Sequence, residues 1–343
     1  QEQIDAREYK LSRAEQLIHD KDVHIGNLES FIKIKDDYIN SVQPLVAKAQ
    51  KMENNRFIRL AKLPVRAARK VKRMVAENKS IHKLNVPMCD KPLVSIVIPV
   101  YNQFDYTYNC IKSIIENTKD VDYEIIIGDD VSTDQTAHIQ RYVKGIKVVR
   151  NSENLKFLLN CNHAAKSAKG QYILFLNNDT TVKENWLSSL VQLIESDNQI
   201  GMVGSKLIYP DGRLQEAGGI IWKDASAWNY GNGQDPEKAD FNYVRDVDYI
   251  SGAAIMIRKS LWKEIGGFDE LFVPAYCEDS DLAFEVRKHG YRVVYQPASV
   301  VVHYEGVSNG TDTSTGLKHY QVVNNEKLQK KWAKELAEHY ENG

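Results

Sequence analysis

Apolar residues fall every seven positions through the first fifty residues: Ile4, Leu11, Ile18, Ile25, Ile32, Ile39 and Val46. A sustained spacing of seven is one seam of a coiled coil. The companion seam three residues on (Arg7, Ala14, Lys21, Leu28, Lys35 and Val42) is weaker, while Leu17, Phe31, Tyr38 and Leu45 widen the stripe on the other side. The pattern predicts a helical segment over 1–50. It either packs on its own domain or forms a coiled coil that makes an oligomer or binds a partner.

The stretch "RFIRLAKLPVRAARKVKRM", residues 56–74, mixes eight uncompensated Lys and Arg residues with Phe57, Ile58, Leu60, Leu63, Val65, Val71 and Met74. Pro64 breaks it into two short helices. A basic amphipathic segment of this kind can lie on an anionic membrane surface, and it can equally be a solvated linker. Residues 51–90 are therefore read as a basic amphipathic linker, with peripheral membrane contact through 56–74 as one reading.

From Pro92 the texture changes. "LVSIVIPVY" is a continuous apolar run, as a strand buried on both faces requires. "YTYNCIKSIIENT" follows as a helix, "YEIIIGDD" as a strand, "TAHIQRYVKG" as a helix and "IKVVRN" as a strand. "LNCNHAAKSAKG" is a helix closed by Gly170, and "QYILFLNND" is a fourth strand. This alternation predicts a doubly wound α/β domain with a mostly parallel sheet. Ligands in such sheets sit beyond the carboxyl ends of the strands, and polar residues fall there: Tyr101-Asn102, Asp129-Asp130, Asn151 and Asn177-Asn178-Asp179. Further on, "SGAAIMIRKSLWKEIGGFDE" reads as a strand, a short helix and a glycine-rich turn. "CEDSDLAFEVRKHGY" reads as an acidic cluster opening a helix, and "RVVYQPASVVVHYEG" as a strand pair ending in His303. The tail from Leu317 reads as a terminal helix.

Composition is that of a soluble globular protein: 343 residues, 43% hydrophobic and 27% charged. A formal net charge of -1 suggests no nucleic-acid partner. No apolar run approaches the ~20 residues of a membrane span, and no signal peptide is visible. Cys89, Cys110, Cys161 and Cys277 form no CxxC pair, which points to a reduced cytoplasmic setting rather than a zinc site. The chain begins at Gln1 rather than Met, as a fragment of a longer protein would.

Between Pro92 and Gly306 the marks "VSIVIPVYN", "IIIGDDVSTDQT", "NLKFLLNCNHAAKSAKGQYILFLNND", "IGGFDE", "CEDSDLAFEVRKHGY" and "VVVHYEG" follow one another in an order that resembles glycosyltransferase family 2, the inverting GT-A enzymes. "LNNDTTV", "DGRLQEAGG" and "EDSDLAFEVRKHGY" look most like its bacterial polysaccharide branch, which includes rhamnosyltransferases. The resemblance implies a GT-A, Rossmann-like domain over 91–306, with a nucleotide-sugar half (91–181) and an acceptor half (182–306), followed by a C-terminal helix (307–343). It implies transfer of a sugar from a nucleotide-sugar, dTDP-rhamnose or another UDP- or dTDP-hexose, to a glycan or lipid-linked glycan acceptor. The setting would be cytoplasmic, at the inner face of the membrane if the basic segment binds there.

The resemblance also assigns residues. Pro99, Tyr101 and Asn102 would frame the base. Asp129 or its neighbour Asp130 would accept hydrogen bonds from base or ribose, with Asp129 preferred. Asn154 and Lys156 fall where the family shows an Asn-x-Gly turn, with Lys156 in place of the glycine. Asp179 matches the last carboxylate of the family's Asp-x-Asp metal motif, and His303 its late histidine. Mg²⁺ or Mn²⁺ there would neutralise the departing diphosphate. Asn177 and Asn178, amides where the motif starts with an acid, would orient sugar or water. A plain strand-to-loop turn is the competing reading of these three residues.

Glu278, Asp279 and Asp281 compete to be the general base that takes the acceptor's proton. Steps of three, four and seven from Asp279 reach Leu282, Ala283 and Val286, an inward apolar face, and family position agrees on Asp279. Ser251, Gly252, Ala253, Gly267 and Phe268 would shape the sugar and acceptor pocket with Glu278 and Asp281. Two other function classes compete. A nucleotidyltransferase would carry a glycine-rich basic loop after the first strand, and "PVYNQFDYT" has neither glycine nor lysine. A non-catalytic coiled-coil partner of an active enzyme would explain the missing first acid, but not the retention of Asp179 and Asp279.

Overall fold

The computed structural model describes residues 82–304 and 319–342. The heptad seam over 1–50 and the basic stretch over 56–74 lie outside the described residues, as do residues 305–318.

The strands, in chain order, begin with β1 (Leu84–Asn85), β2 (Val94–Val100), β3 (Tyr123–Asp129), β4 (Val143–Lys144) and β5 (Ile146–Arg150). Next come β6 (Tyr172–Leu176), β7 (Thr180–Val182), β8 (Ile200–Ile208), β9 (Leu214–Glu216) and β10 (Gly219–Ile221). The last four are β11 (Ala227–Asn229), β12 (Arg245–Asp246), β13 (Ala254–Arg258) and β14 (Arg292–His303). The helices are α1 (Phe104–Asn117), α2 (Lys156–Ala165), α3 (Trp186–Ser196), α4 (Lys259–Ile265), α5 (Glu278–Lys288), α6 (His319–Lys331) and α7 (Ala333–Leu336). Among the described residues no helix is long and apolar enough to cross a membrane.

A sheet of ten strands carries the domain in the order β12-β14-β8-β13-β6-β2-β3-β5, with β7 on β14 and β9 on β8. The strands β5, β3, β2 and β6 are mutually parallel. β8 and β14 run in the same direction, because β13 lies antiparallel between β6 and β8, and β14 is parallel to β8. The mostly parallel α/β fold expected from the alternation of elements is thus present, with β13 reversed inside it.

The continuous apolar runs follow from burial on both faces. Ile96, Ile98, Ile125, Ile127, Leu174 and Leu176 point to the side covered by α1 and α3. Their alternates Val97, Ile126, Ile173 and Phe175 point to the side covered by α2, α4, α5 and α6, as a period of two demands. Each buried Ile contributes roughly 1.5–3 kcal/mol relative to exposure. Close packing tightens near the strand ends. A Cβ on Gly128 would lie 2.9 Å from Asn160 Oδ1 and 3.0 Å from Ala164 Cβ, so only glycine lets α2 settle on β3 there.

Three elements differ from the sequence reading. "TAHIQRYVKG" is a tight 3₁₀ segment, Gln135–Arg141, broken at His138 (φ -123°, ψ 25°), and then enters β4, which pairs with β1. Asp134 caps it through Thr136 N, a local bond that competes with α-helix. "RVVYQPASVVVH" is one strand rather than a pair. Its register on β8 shifts between Gln296 and Val300, where Pro297 cannot donate a ladder hydrogen bond. The tail breaks into α6 and α7 at Trp332.

Candidate active site

All the polar strand tips meet at one edge of the sheet. In the parallel register Val100 lies opposite Asp129 and Asp129 opposite Arg150. Leu176, at the end of β6, pairs with Ala254, the first residue of reversed β13. Residues 251–253 therefore reach the same edge from the other direction. His303, at the end of β14, pairs with Thr180 beside Asp179.

On the first half, Asp129 and Asp130 are both buried and serve different partners. Asp129 accepts from Ser132 N at 2.9 Å and pairs with the Arg150 guanidinium, which also donates to Ser132 O. Asp130 accepts from Asn151 Nδ2 at 2.8 Å, Leu155 N at 2.7 Å and Lys156 N at 2.9 Å. It thereby holds Lys156 in the left-handed region, φ 65°. Lys156 is thus a non-glycine residue in a conformation that favours glycine. Asn154 Oδ1 also accepts from Lys156 N, at 3.2 Å.

Asn102, φ 58°, receives Thr133 N at 2.7 Å and Asp134 N at 3.2 Å on its side-chain oxygen, and donates its own N–H to Ser132 Oγ. It organises the 129–134 loop. Tyr101 is 52% exposed beside it, and Pro99 lies buried in β2.

At the tip of β6, Asn177 and Asn178 diverge. Asn178 Nδ2 turns to Thr107 Oγ1 on α1 at 3.0 Å. Asn177 N donates to Ala253 O at 3.0 Å, and its carbonyl accepts from Thr180 Oγ1 at 2.7 Å. Asp179 and His303 come together: Oδ1 stands 3.4 Å from Nε2, and both residues are buried. His303 Nδ1 is buried with no hydrogen-bond partner. Tyr304 N donates to the Asp179 carbonyl, which locks the end of β14 to the tip.

The acidic cluster of α5 splits three ways. Asp279 is half-buried and accepts from Gly252 N at 3.0 Å and Ser280 N at 2.8 Å. Burial raises its carboxyl, and the Gly252 and Ser280 amides pull it back. Glu278 is buried with Oε2 unpartnered, and burial followed by the Asp279 charge pushes its carboxyl up to about 8. Asp281 is turned to the C-terminal helices, accepting from Trp332 Nε1 at 2.7 Å and Lys331 Nζ at 3.0 Å. Residues two apart stand ~200° apart on a helix, so Asp279 and Asp281 cannot serve one pocket. The expected inward face, Leu282, Ala283 and Val286, is fully buried.

Gly267 and Phe268 also fall away from the strand-tip edge. Phe268 packs on Phe175 and Trp262 in the core. With Asn162, Asp281, Glu285 and Lys331 these two residues line a separate cleft of ≈ 300 Å³. The structure brings Asp179, His303, Ala253, Gly252 and Asp279 into one connected edge, with Asp129, Asp130 and Lys156 along the same edge. Gly267, Phe268 and Asp281 are placed elsewhere.

Residues 95–265 match the family profile described as glycosyl transferase family 2. This stretch is a glycosyltransferase family 2 domain. The chain is 28% identical over 235 residues to the uncharacterized protein y4gI of Sinorhizobium fredii, covering 65% of this chain and 26% of that protein. It is 28% identical over 245 residues to the O-antigen biosynthesis protein RfbC of Myxococcus xanthus, covering 67% and 19% respectively. The chain thus spans about a quarter or less of the length of these relatives. It is also 24% identical over 221 residues to an N-acetylglucosaminyl-diphospho-decaprenol L-rhamnosyltransferase of Mycobacterium tuberculosis, covering 56% and 70%. The family 2 domain shares its fold with GalNAc-T7, solved with UDP, GalNAc and Mn²⁺: TM-score 0.59 at 17% identity, over 72% of this chain and 50% of that one.

Sequence reasoning named Asn151 as a strand tip but passed over Arg150, Glu216 and the Asn160 and His163 side chains that hold Asn151 against Asp130. Arg150 ends a strand as Asp129 does, but only the β3–β5 register reveals that they face each other.

Proposed function

We propose that the domain transfers a hexose from a nucleotide-sugar to a glycan or lipid-linked glycan acceptor with inversion, in bacterial surface-polysaccharide synthesis. The observation that carries this reading is the bond from Gly252 N to Asp279 on a loop whose next residue, Ala253, binds Asn177 at the β6 tip. One loop thereby ties a candidate base to a candidate diphosphate end. Asp279, raised by burial, takes the acceptor hydroxyl proton. The acceptor oxygen forms its bond to the anomeric carbon while the bond from that carbon to the phosphate oxygen breaks. The nucleoside diphosphate leaves with the electron pair. Asp129, Tyr101, Asn102 and the backbone around Lys156 hold the nucleotide, and Asp130 holds the Lys156 turn.

Among the described residues no group of three or more His, Cys, Asp or Glu side chains could hold a metal ion. The buried Asp179–His303 pair fits a two-donor site instead. Donors bound to one ion at ~2.1 Å stand ~3.0–3.4 Å apart at ordinary angles, and the observed separation is 3.4 Å. Mg²⁺ or Mn²⁺ bound there would screen the charge developing on the diphosphate. The Asp179 carboxylate and the diphosphate oxygens suit either ion. The rhamnosyltransferase relative supports dTDP-rhamnose as the first donor to try. The 1–50 seam as an oligomer or partner contact, and 56–74 as a membrane contact, remain part of this proposal on sequence alone.

Release of nucleoside diphosphate from UDP-, dTDP- and GDP-hexoses with Mn²⁺ tests the reading. Failure of the purified protein either to bind or to turn over any of them would end it.

A further inference from the structure

The stretch "DGRLQEAGG" contains a carboxylate that the transfer mechanism leaves unused. Glu216, the last residue of β9, has no measurable exposure. It pairs with Leu207 of β8, one residue from that strand's carboxyl end, so it lies at the edge where the candidate site assembles. Its Oε1 accepts from Ser251 N at 3.0 Å. The next amide along, Gly252 N, donates to Asp279 Oδ2 at the same distance. Two carboxylates from different elements therefore grip consecutive amides of one loop.

The glycines that follow Glu216 dock on the same loop. Gly219 N donates to Tyr249 O at 2.9 Å. A Cβ on Gly219 would lie 1.9 Å from Tyr249 Cε1, so no other residue lets this strand pass under the ring. Tyr249 stands near both carboxylates: burial, then the Glu216 charge, then the Asp279 charge hold its phenol well above the ordinary value. The far end of the loop, Ala253 O, accepts Asn177 N. Movement at Ser251 would shift both the amide that orients Asp279 and the carbonyl that seats the β6 tip.

We propose that Glu216 is a positioning residue for transfer: its buried carboxylate clamps the Ser251 amide and so presents Gly252 to Asp279. This rests on the reading of Asp279 as the base. In this role Glu216 acts through the Ser251 amide rather than on the donor, so its loss should act on turnover rather than on donor affinity. A misplacement of about 1 Å at a reacting group can cost on the order of a hundredfold in rate.

The test compares Glu216→Ala, Glu216→Gln and Glu124→Ala. Glu124 also clamps a backbone amide, Lys169 N at 2.7 Å, but at the amino end of β3, the opposite edge. Nucleoside diphosphate release from dTDP-rhamnose and UDP-glucose gives kcat and donor KM, and hydrogen–deuterium exchange follows the amides of residues 251–253. Glu216→Ala should lower kcat about tenfold or more, leave donor KM within about twofold, and speed exchange at Ser251 and Gly252. Glu216→Gln keeps an acceptor oxygen and should restore both turnover and protection. Glu124→Ala should lower the melting temperature without touching either readout.

Wild-type kcat and protection in Glu216→Ala would overturn the inference, as would a Gln variant as impaired as the Ala variant. If the unaltered protein released diphosphate from no donor, the transfer reading itself would fall. The exchange measurement reports the clamp independently of that result.

Discussion

Asp279 and Asp281 sit two residues apart in α5, and removing them should have opposite consequences. Consider Asp281→Ala. Asp281 is 2% exposed and receives Trp332 Nε1 at 2.7 Å and Lys331 Nζ at 3.0 Å. Losing the indole bond costs ~1 kcal/mol net, and up to ~3 if the N–H finds no water. Orphaning a buried cation costs ~3–5 kcal/mol, but Lys331 is partly exposed and keeps Asp269 at 2.9 Å and Glu285 at 3.2 Å. That contribution falls to ~1 kcal/mol after solvent screening. The sum is ~2–4 kcal/mol. At ~2–4 °C per kcal/mol for a domain of this size, the melting temperature should drop roughly 4–16 °C. Below that lowered transition, nucleoside diphosphate release should stay within about threefold of the unaltered protein, because Asp281 faces the C-terminal helices. Thermal melts followed by circular dichroism, with turnover measured at least ten degrees under the lower transition, decide it. Turnover lost with the melting temperature unchanged would refute the assignment of Asp281 to the α6–α7 clamp.

Asp279→Asn should remove transfer by about a hundredfold or more while nucleotide affinity changes little, since a base acts on the acceptor. Calorimetric titration showing equal loss of both would count against that role. Asp179→Ala should weaken nucleoside diphosphate binding in Mn²⁺ and leave EDTA-treated binding unchanged; identical affinities in both conditions would remove Asp179 as a ligand. Glu278 ionises near its ordinary 4.5 when unfolded and near 8 when folded. Between those values the unfolded chain has released a proton that the folded chain retains, so stability falls as pH rises through the window. Glu278→Gln should therefore gain stability over the unaltered protein as pH climbs from about 5 to about 8, and a difference in melting temperature that stays flat over that range would contradict it.

Much of the fold was legible because its signals are local. Strands buried on both faces need uninterrupted apolar runs, and "VSIVIPV" and "YILFL" carry them, so the parallel half of the sheet could be read from order and texture. The polar tips were legible for the same reason: residues at strand ends break the apolar pattern. The 3₁₀ segment at Gln135–Arg141 was not, because an Asp134 cap and a kink at His138 override an apolar spacing that also suits an α-helix.

The site divides along the same line. The order of residues along the chain by itself determined that Asp129, Asp179, Asp279 and His303 exist at element ends suited to a ligand edge. Tertiary structure decided which of them face one another. Asp129 meets Arg150 only through the β3–β5 register, and Asp179 meets His303 only because β7 pairs with β14 across more than a hundred residues. Asp281, so close to Asp279 in sequence, is drawn to Lys331 and Trp332 on helices fifty residues away. Spacing along a helix says which side a residue faces. Only the packed neighbours say what waits there, because charge and hydrogen-bond partners come from elements whose approach no local pattern encodes.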